Sequence, residues 1–272
     1  MRYRFIAFDL DGTLFETLNG ISEENYKALK KLYEMGVVLV PTSGRSLYEI
    51  PEKVRECEYF KYAITSGGAC TYDLQSGKLI ASELMTKEES KFLFDKLFAT
   101  KNVTMTHFEG ECYIDSTQDT DYYDSCRVNE SFKIFIPMMD KMMDDFEARC
   151  YEMDGVELTC SFIATDEELD TFRKKMKETG LYTVVSSAKN NVEVVSSRVD
   201  KGKAVLSLAK RLGIDESETI GVGDSINDLA LVKAVNLGIA MENAVPELKE
   251  VADAIGCRNT EHIAKFILDR YF

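Results

Sequence analysis

Asp9 and Asp11 stand two residues apart in the string DLDGT, where an apolar run gives way to polar residues. Side chains at i and i+2 of an extended chain share a face, and wound α/β sheets bind ligands where their strands end. One carboxylate of such a pair can act as nucleophile and metal ligand while the other handles protons. Gly12 lets the backbone turn close to a bound oxyanion. A second acidic cluster, GDSIND (223–228), also follows an apolar run. Asp224 and Asp228, four apart, face one way on a helix that starts at once, and Asn227 beside them can donate to an anion. The plainer alternative is a helix start with Asp224 as N-cap. That accounts for one acid but not for Asn227 and Asp228 together.

Two phosphate-binding candidates lie between the clusters. Ser43, Gly44 and Arg45 follow a second apolar run and offer a hydroxyl, a flexible backbone N–H and a guanidinium. Lys201, behind Asp200 at the start of a helical pattern, offers a point positive charge. Asp9, Asp11, Asp224 and Asp228 together would carry four negative charges, which cannot sit side by side uncompensated. A divalent cation and Lys201 supply three positive charges. With Asp11 protonated, the remaining three carboxylates balance them. A preorganised pocket of oxygen ligands suits Mg²⁺ and can then accept a phosphate dianion.

The elements that must position these residues alternate. Tyr3–Phe8 reads as a strand, and Ser22 opens a helical pattern through Tyr26, Leu29, Leu32 and Tyr33 that closes at Gly36. VVLVPT (37–42) has the continuous apolar character of a strand buried on both faces of a parallel sheet. YAIT (62–65) follows, and then the segments 69–73 and 78–82 straddle a Q-S-G turn as a hairpin. In the middle stretch, Thr86 with Glu89 and Thr165 with Glu168 mark two capped helices, with strands expected at 103–107, 112–115 and 156–162. From Asp200 the alternation returns: a helix to Gly213, strands at 218–223 and 236–240, and further helices. The expected fold is a Rossmann-like doubly wound α/β core from residues 1–82 and 191–272, with an inserted α+β domain at 83–190.

Composition narrows the function. The 272 residues include 33 basic and 47 acidic side chains, a formal charge of −14. That field repels nucleic acid and anionic membranes at long range, so neither is an expected partner. Any phosphate site must therefore be locally basic. No apolar stretch is long enough to be a signal peptide or a membrane span. The seven scattered cysteines form no C-x-x-C pair, and with only two histidines a zinc site is poorly supplied. Reduced thiols in a cytoplasmic protein are the expectation. Nothing in the sequence specifies an oligomeric state. Two other segments invite sharper readings. PMMDKMMDDF (137–146) carries Met138, Met139, Met142 and Met143 at helical spacing, which points to core rather than a binding groove. DSTQDTDYYD (115–124) lacks the Gly and terminal Glu of a calcium loop and reads as a solvated loop.

In DLDGTL (9–14), SGR (43–45), Lys201 and GDSIND, taken in order, the chain resembles the haloacid dehalogenase superfamily, and within it the Cof-type phosphatases. LGIAMENAVPELKEVAD (237–253) is also similar in wording to that subgroup. The resemblance covers nearly the whole chain. It implies Asp9 as nucleophile and metal ligand, and Asp11 as general acid/base that also binds metal through its backbone carbonyl. Asp224 would be the second carboxylate ligand of Mg²⁺, supported by Asp228 and Arg45. Leu10, Ser43, Gly44, Lys201 and Asn227 would hold the phosphate, and the insertion would be a cap. Ser43 stands where threonine is commoner, and Gly67 replaces an asparagine of the family's Asn-Gly-Ala turn. The implied activity is a phosphatase acting on a small phosphorylated metabolite, such as a sugar phosphate. A phosphosugar mutase or phosphotransferase, or a non-enzymatic phosphate sensor, uses the same motifs.

Overall fold

The computed structural model describes residues 2–17, 20–139, 141–188 and 190–272, without the side chains of Phe135, Met138 and Met139. Strands β1 (Phe5–Asp9), β2 (Val38–Thr42), β3 (Tyr62–Thr65), β4 (Cys70–Asp73) and β5 (Lys78–Ser82) come first. β6 (Asn102–Phe108), β7 (Glu111–Asp115), β8 (Lys141–Met143), β9 (Leu158–Ile163), β10 (Tyr182–Val185) and β11 (Asn191–Ser196) occupy the middle of the chain. β12 (Thr219–Gly223), β13 (Leu237–Ala240) and β14 (Ala254–Ile255) complete it. The chain divides into two compact units. Met1–Gly44, Ile50–Ser82 and Asp200–Phe272 form the first; Arg45–Glu49 and Glu83–Val199 form the second.

The first unit is built on a sheet of order β14-β13-β12-β1-β2-β3-β4-β5. β1 lies between β12 and β2, parallel to both. Every residue of FIAFD and of TIGVG is buried, as two covered faces require. Helices Glu23–Glu34 and Ile263–Tyr271 place Leu29, Leu32, Ile263 and Ile267 in the core with Ile6 and Phe8. Helix Lys201–Arg211 covers Phe5, Ala7 and Val40 with Val205 and Leu208. Parallel strands end on one side, so Asp9, Thr42 and Gly223 share a sheet edge. The hairpin expected at 69–73 and 78–82 forms as β4 and β5, antiparallel, at the end of the sheet.

The second unit is a sheet of order β10-β11-β9-β6-β7-β8, antiparallel except for β7 with β8. Helices Lys87–Leu97, Phe146–Glu152 and Asp166–Thr179 pack on it through Leu93, Phe94, Phe146, Phe172 and Met176. Both expected caps form: Thr86 Oγ1 accepts from Glu89 N at 3.2 Å, and Thr165 Oγ1 accepts from Glu168 N at 3.3 Å. Gly180 closes the latter helix in the left-handed conformation.

Several expectations give way. The unit continues to Val199 rather than ending near 190, because β11 pairs with both β9 and β10. It also takes in Arg45–Glu49, which sequence order places in the core. The methionine stripe breaks: helix Glu130–Met139 is followed by strand β8, where Met142 is 50% exposed. Met138 and Met139 lie outside the described side chains. The segment 115–124 is not a plain loop, since Asp119 accepts from Tyr122 N and caps a helix, Thr120–Ser125.

Arg198 ties the two ends of the long middle stretch together. Its guanidinium donates to both carboxylate oxygens of Glu89 (2.8 and 2.9 Å) and to Leu84 O at 2.7 Å. Glu89 also accepts from Thr86 N at 2.8 Å. The Arg198 hydrogen bonds hold the Glu89 carboxyl below its ordinary range. A depressed carboxylate stabilises the fold fully above its ordinary value and loses that contribution as pH falls through its folded value. Glu89→Gln is therefore expected to cost about 1–3 kcal/mol at neutral pH. The deficit should close in acid, as read from urea unfolding of both proteins across pH.

Candidate active site

At the end of β1, Asp9 is 5% exposed. Lys201 Nζ donates to Asp9 Oδ1 at 2.8 Å and to Asp228 Oδ1 at 2.5 Å. The lysine reaches both because its helix starts where Asp200 accepts from Lys203 N, 2.8 Å away. The helix also lies tight against helix Leu229–Ala234. A Cβ on Gly202 would stand 2.3 Å from Ala230 O, so only glycine permits this approach.

Asp228 serves two groups at once. One oxygen holds Lys201, and the other accepts from Asp224 N (3.0 Å) and Ser225 N (3.1 Å). Ser225 and Asp228 form the capping box here, so Asp224 is not the cap of the plainer reading. Its side chain is left for the site, where Thr13 Oγ1 donates to Asp224 Oδ1 at 3.3 Å. Gly12 faces the same carboxylate with φ of 76°, and a Cβ there would lie 2.4 Å from Asp224 Oδ2. Position 12 therefore needs glycine for conformation and for space.

Carboxylate oxygens of Asp9, Asp224 and Asp228 lie within 4.8 Å of one another. Burial, then repulsion from Asp228, raises the Asp9 carboxyl well above the ordinary range, with Lys201 opposing. Burial and Asp228 likewise push Asp224 up to about 7. Burial opposes the charge on Lys201, yet Asp228 and Asp9 raise its pKa above the ordinary value. Three carboxylates, two of them buried and Asp224 half-buried, and one lysine leave the group short of positive charge. Its donors are all hard oxygens, which fit Mg²⁺ rather than a metal that prefers imidazole or thiolate.

Other sequence candidates fall around this group. Leu10 is buried and begins the tight turn that closes where Phe15 N donates to Leu10 O at 2.8 Å. Asp11 is exposed and outside the carboxylate group, although its charge reaches Asp224. The group held by Lys201 thus comprises three carboxylates, with Asp11 beside it at the surface. Ser43 is buried after β2; its N–H donates to Ile64 O (2.9 Å), and its carbonyl accepts from Gly67 N (3.0 Å). At Gly67, the departure from the Asn-Gly-Ala turn, the backbone supplies this contact. Gly44 follows, at the end of the first segment of the first unit. Asn227 Oδ1 accepts from Ser225 Oγ at 2.7 Å, leaving its NH₂ as donor. Arg45 belongs to the second unit, where it donates to Glu49 O at 3.0 Å.

Sequence reasoning passes over two asparagines. Asn243 Nδ2 donates to Gly12 O at 2.8 Å, and Asn243 Oδ1 accepts from Asn259 N at 3.0 Å. Asn259 Nδ2 in turn donates to Phe15 O at 3.1 Å. Together they hold the turn after β1 from the far end of the chain. Asn243 lies in the MENA string of the tail that carries part of the resemblance, but nothing local shows which turn it would meet.

Three carboxylates, and a lysine from the start of a helix, meet where the parallel strands of this α/β core end, the edge at which such sheets bind ligands. The chain belongs to the haloacid dehalogenase-like hydrolases, whose family model matches residues 6–267. It is 30% identical to the phosphatase YwpJ of Bacillus subtilis, over 95% of this chain and 96% of that one. It is 28% identical to the 5-amino-6-(5-phospho-D-ribitylamino)uracil phosphatase YwtE of Bacillus subtilis, over 97% and 96%. A solved haloacid dehalogenase-like hydrolase from B. subtilis superposes with a TM-score of 0.84 at 26% identity, covering 99% of this chain and 100% of that one.

Removing one member of a buried ion pair leaves its partner uncompensated, at a cost of about 3–5 kcal/mol. Lys201→Met is expected to lose that much stability at neutral pH in urea unfolding. Asp228→Asn should cost less in the Lys201→Met background than alone, giving a coupling of about 1–3 kcal/mol in the double-mutant cycle.

Proposed function

We propose that this hydrolase is a Mg²⁺-dependent phosphatase that transfers the phosphoryl group of a small-metabolite monoester to Asp9 and then hydrolyses it. The observation that carries the reading is the buried Asp9 carboxylate, held by Lys201 within a group of three carboxylates short of positive charge. Asp9 and Asp224 would hold the cation, with the backbone carbonyl of Asp11. When bound, the cation neutralises charge on the transferring phosphoryl group.

The residues then divide the work. Asp9 attacks phosphorus as the bond to the leaving oxygen breaks. Lys201, the Ser43 hydroxyl, the Leu10 and Gly44 N–H groups and the Asn227 amide bind the phosphoryl oxygens and stabilise the charge that develops on them. Asp11, exposed and close in sequence to Asp9, protonates the leaving oxygen. In the second half, Asp11 takes a proton from the attacking water, the acyl-phosphate bond breaks, and Asp9 returns as a carboxylate with release of phosphate. Thr13 and Asp228 orient Asp224 and Lys201.

The substrate reading is a sugar or polyol phosphate. YwtE, similar along almost the whole chain, is named for a phospho-ribityl substrate. Substrate choice is assigned to the second unit, because Asp9, Asp11, Ser43, Lys201, Asp224 and Asn227 all lie in the first. The cell compartment proposed is the cytoplasm. No helix among the described residues is long and apolar enough to cross a membrane.

Exhaustive chelation is expected to stop turnover and added Mg²⁺ to restore it; full activity after chelation would sink the metal requirement. Asp9→Asn should abolish hydrolysis of every ester. Asp11→Asn should still accept phosphate from a donor with a good leaving group, such as an aryl phosphate, but release it about 10²–10⁴-fold more slowly. Mass spectrometry after acid quench should then find one phosphoryl group on Asp9. A phosphoryl group on another residue, or an active Asp9→Asn protein, overturns the mechanism.

A further inference from the structure

The second unit assembles a set of side chains for which the phosphatase reading has no use. β6 and β7 form a hairpin whose two turn residues, Glu109 and Gly110, have φ of 52° and 78°. Positive φ at both central residues matches the type I′ turn, which fits the twist of the strands and fixes their register. That register sets His107 directly opposite Cys112. Opposed residues of an antiparallel pair share a face, with Cβ atoms about 4.5–5.5 Å apart. The turn is held from two directions: Gly110 N donates to Glu157 Oε1 at 2.8 Å, and Gly110 O accepts from Tyr48 N at 2.9 Å.

The Tyr48 bond lays segment 45–49 against the hairpin. Ser46 N donates to Glu49 Oε2 at 2.7 Å, and the same oxygen lies 3.2 Å from His107 Nε2. One ligand atom each from Glu49, His107 and Cys112 falls within a common 4.8 Å. His107 and Cys112 are 4% and 1% exposed, and the Glu49 side chain, at 16%, opens toward solvent. Glu193, on β11 of the same sheet, lies within electrostatic reach of His107 and Glu49, with burial raising its carboxyl above the ordinary range.

The group joins a carboxylate, an imidazole and a thiol, one ligand atom from each. Nitrogen and oxygen ligands about 2.0–2.1 Å from a tetrahedral zinc stand about 3.3 Å apart, close to the Glu49–His107 separation. We infer that Glu49, His107 and Cys112 form a binding site for a borderline-soft divalent cation, Zn²⁺ above all. Its imidazole, thiolate and single carboxylate differ in kind from the all-oxygen group around Asp9. On binding, the Cys112 proton leaves to solvent, and Nε2 of neutral His107 and the Glu49 carboxylate complete three protein ligands. Water takes the fourth position. The site ties segment 45–49, next in sequence to Ser43 and Gly44, to the hairpin.

The test uses the full chain, chelated and desalted, in excess Mg²⁺ so that the carboxylate group is occupied. Titration with Zn²⁺ against a chromophoric chelator is expected to show one tight equivalent. Titration with Co²⁺ should give a thiolate-to-metal charge-transfer band. Cys112→Ser, nearly isosteric, should lose that band, and it should weaken Zn²⁺ by more than the roughly 10–100-fold that loss of a supporting partner costs. His107→Gln should weaken Zn²⁺ similarly, with circular dichroism confirming that both variants are folded. Complete displacement of Zn²⁺ by Mg²⁺ overturns the inference. So does a charge-transfer band that survives in Cys112→Ser, or its absence from the unsubstituted protein. None of these readouts depends on phosphatase activity.

Discussion

The buried ammonium of Lys201 between Asp9 and Asp228 is the interaction around which the first unit is arranged. A charge 2% exposed persists only with partners of good geometry, because burial penalises it by several kcal/mol. The fold supplies those partners from β1 and from the turn after β12, two adjacent strands. It brings the lysine in on a helix that can approach only because residue 202 lacks a side chain. Asp228 in turn rigidifies the backbone that presents Asp224. The lysine therefore fixes the spacing of the carboxylates before any ligand arrives, which is the preorganisation that electrostatic catalysis requires.

That group remains deficient in positive charge, and the deficiency is what would give it affinity for a cation. Asp9 and Asp224 are harder to ionise than ordinary carboxyls because they are buried near Asp228, so a bound cation would recover that unfavourable energy. The second unit gathers its ligand atoms by a different route. A hairpin register and a strip of five residues pinned by backbone hydrogen bonds bring imidazole, thiol and carboxylate together. One chain thus carries a hard-ligand group and a mixed-ligand group in separate units, with different ions suited to each.

Much of the first unit was legible in the sequence, because parallel strands buried on both faces read as continuous apolar runs and their polar ends mark the ligand edge. Asp9 and Asp224 were read that way, and Lys201 from its place at a helix start. The capping roles of Thr86 and Thr165 were equally visible, since a cap is a local hydrogen bond. What stayed hidden depends on long-range pairing. β10 and β11 gave no strand reading, so the second unit was ended too early at 190. The Asn243–Gly12 bond joins residues from opposite ends of the chain, and Glu49 meets His107 through a hairpin register that no local pattern reveals. The methionine stripe misled because helical spacing continues in the sequence past the point where the backbone switches to β8.

The membership of Arg45–Glu49 in the second unit has a consequence for how such a protein can be recombined. Arg198 clasps Glu89 and Leu84, so a genetic exchange with breakpoints at 82/83 and 199/200 would deliver a cassette whose two ends already meet. Yet that cassette would leave behind the strip whose Tyr48 N–H and Glu49 carboxylate serve the β6–β7 hairpin. The strip and the cassette must be inherited together, although more than thirty residues of the other unit separate them in the chain. A chimera that moves only the continuous stretch pairs a foreign hairpin with a strip selected for another, while a four-breakpoint graft that includes residues 45–49 keeps the unit whole.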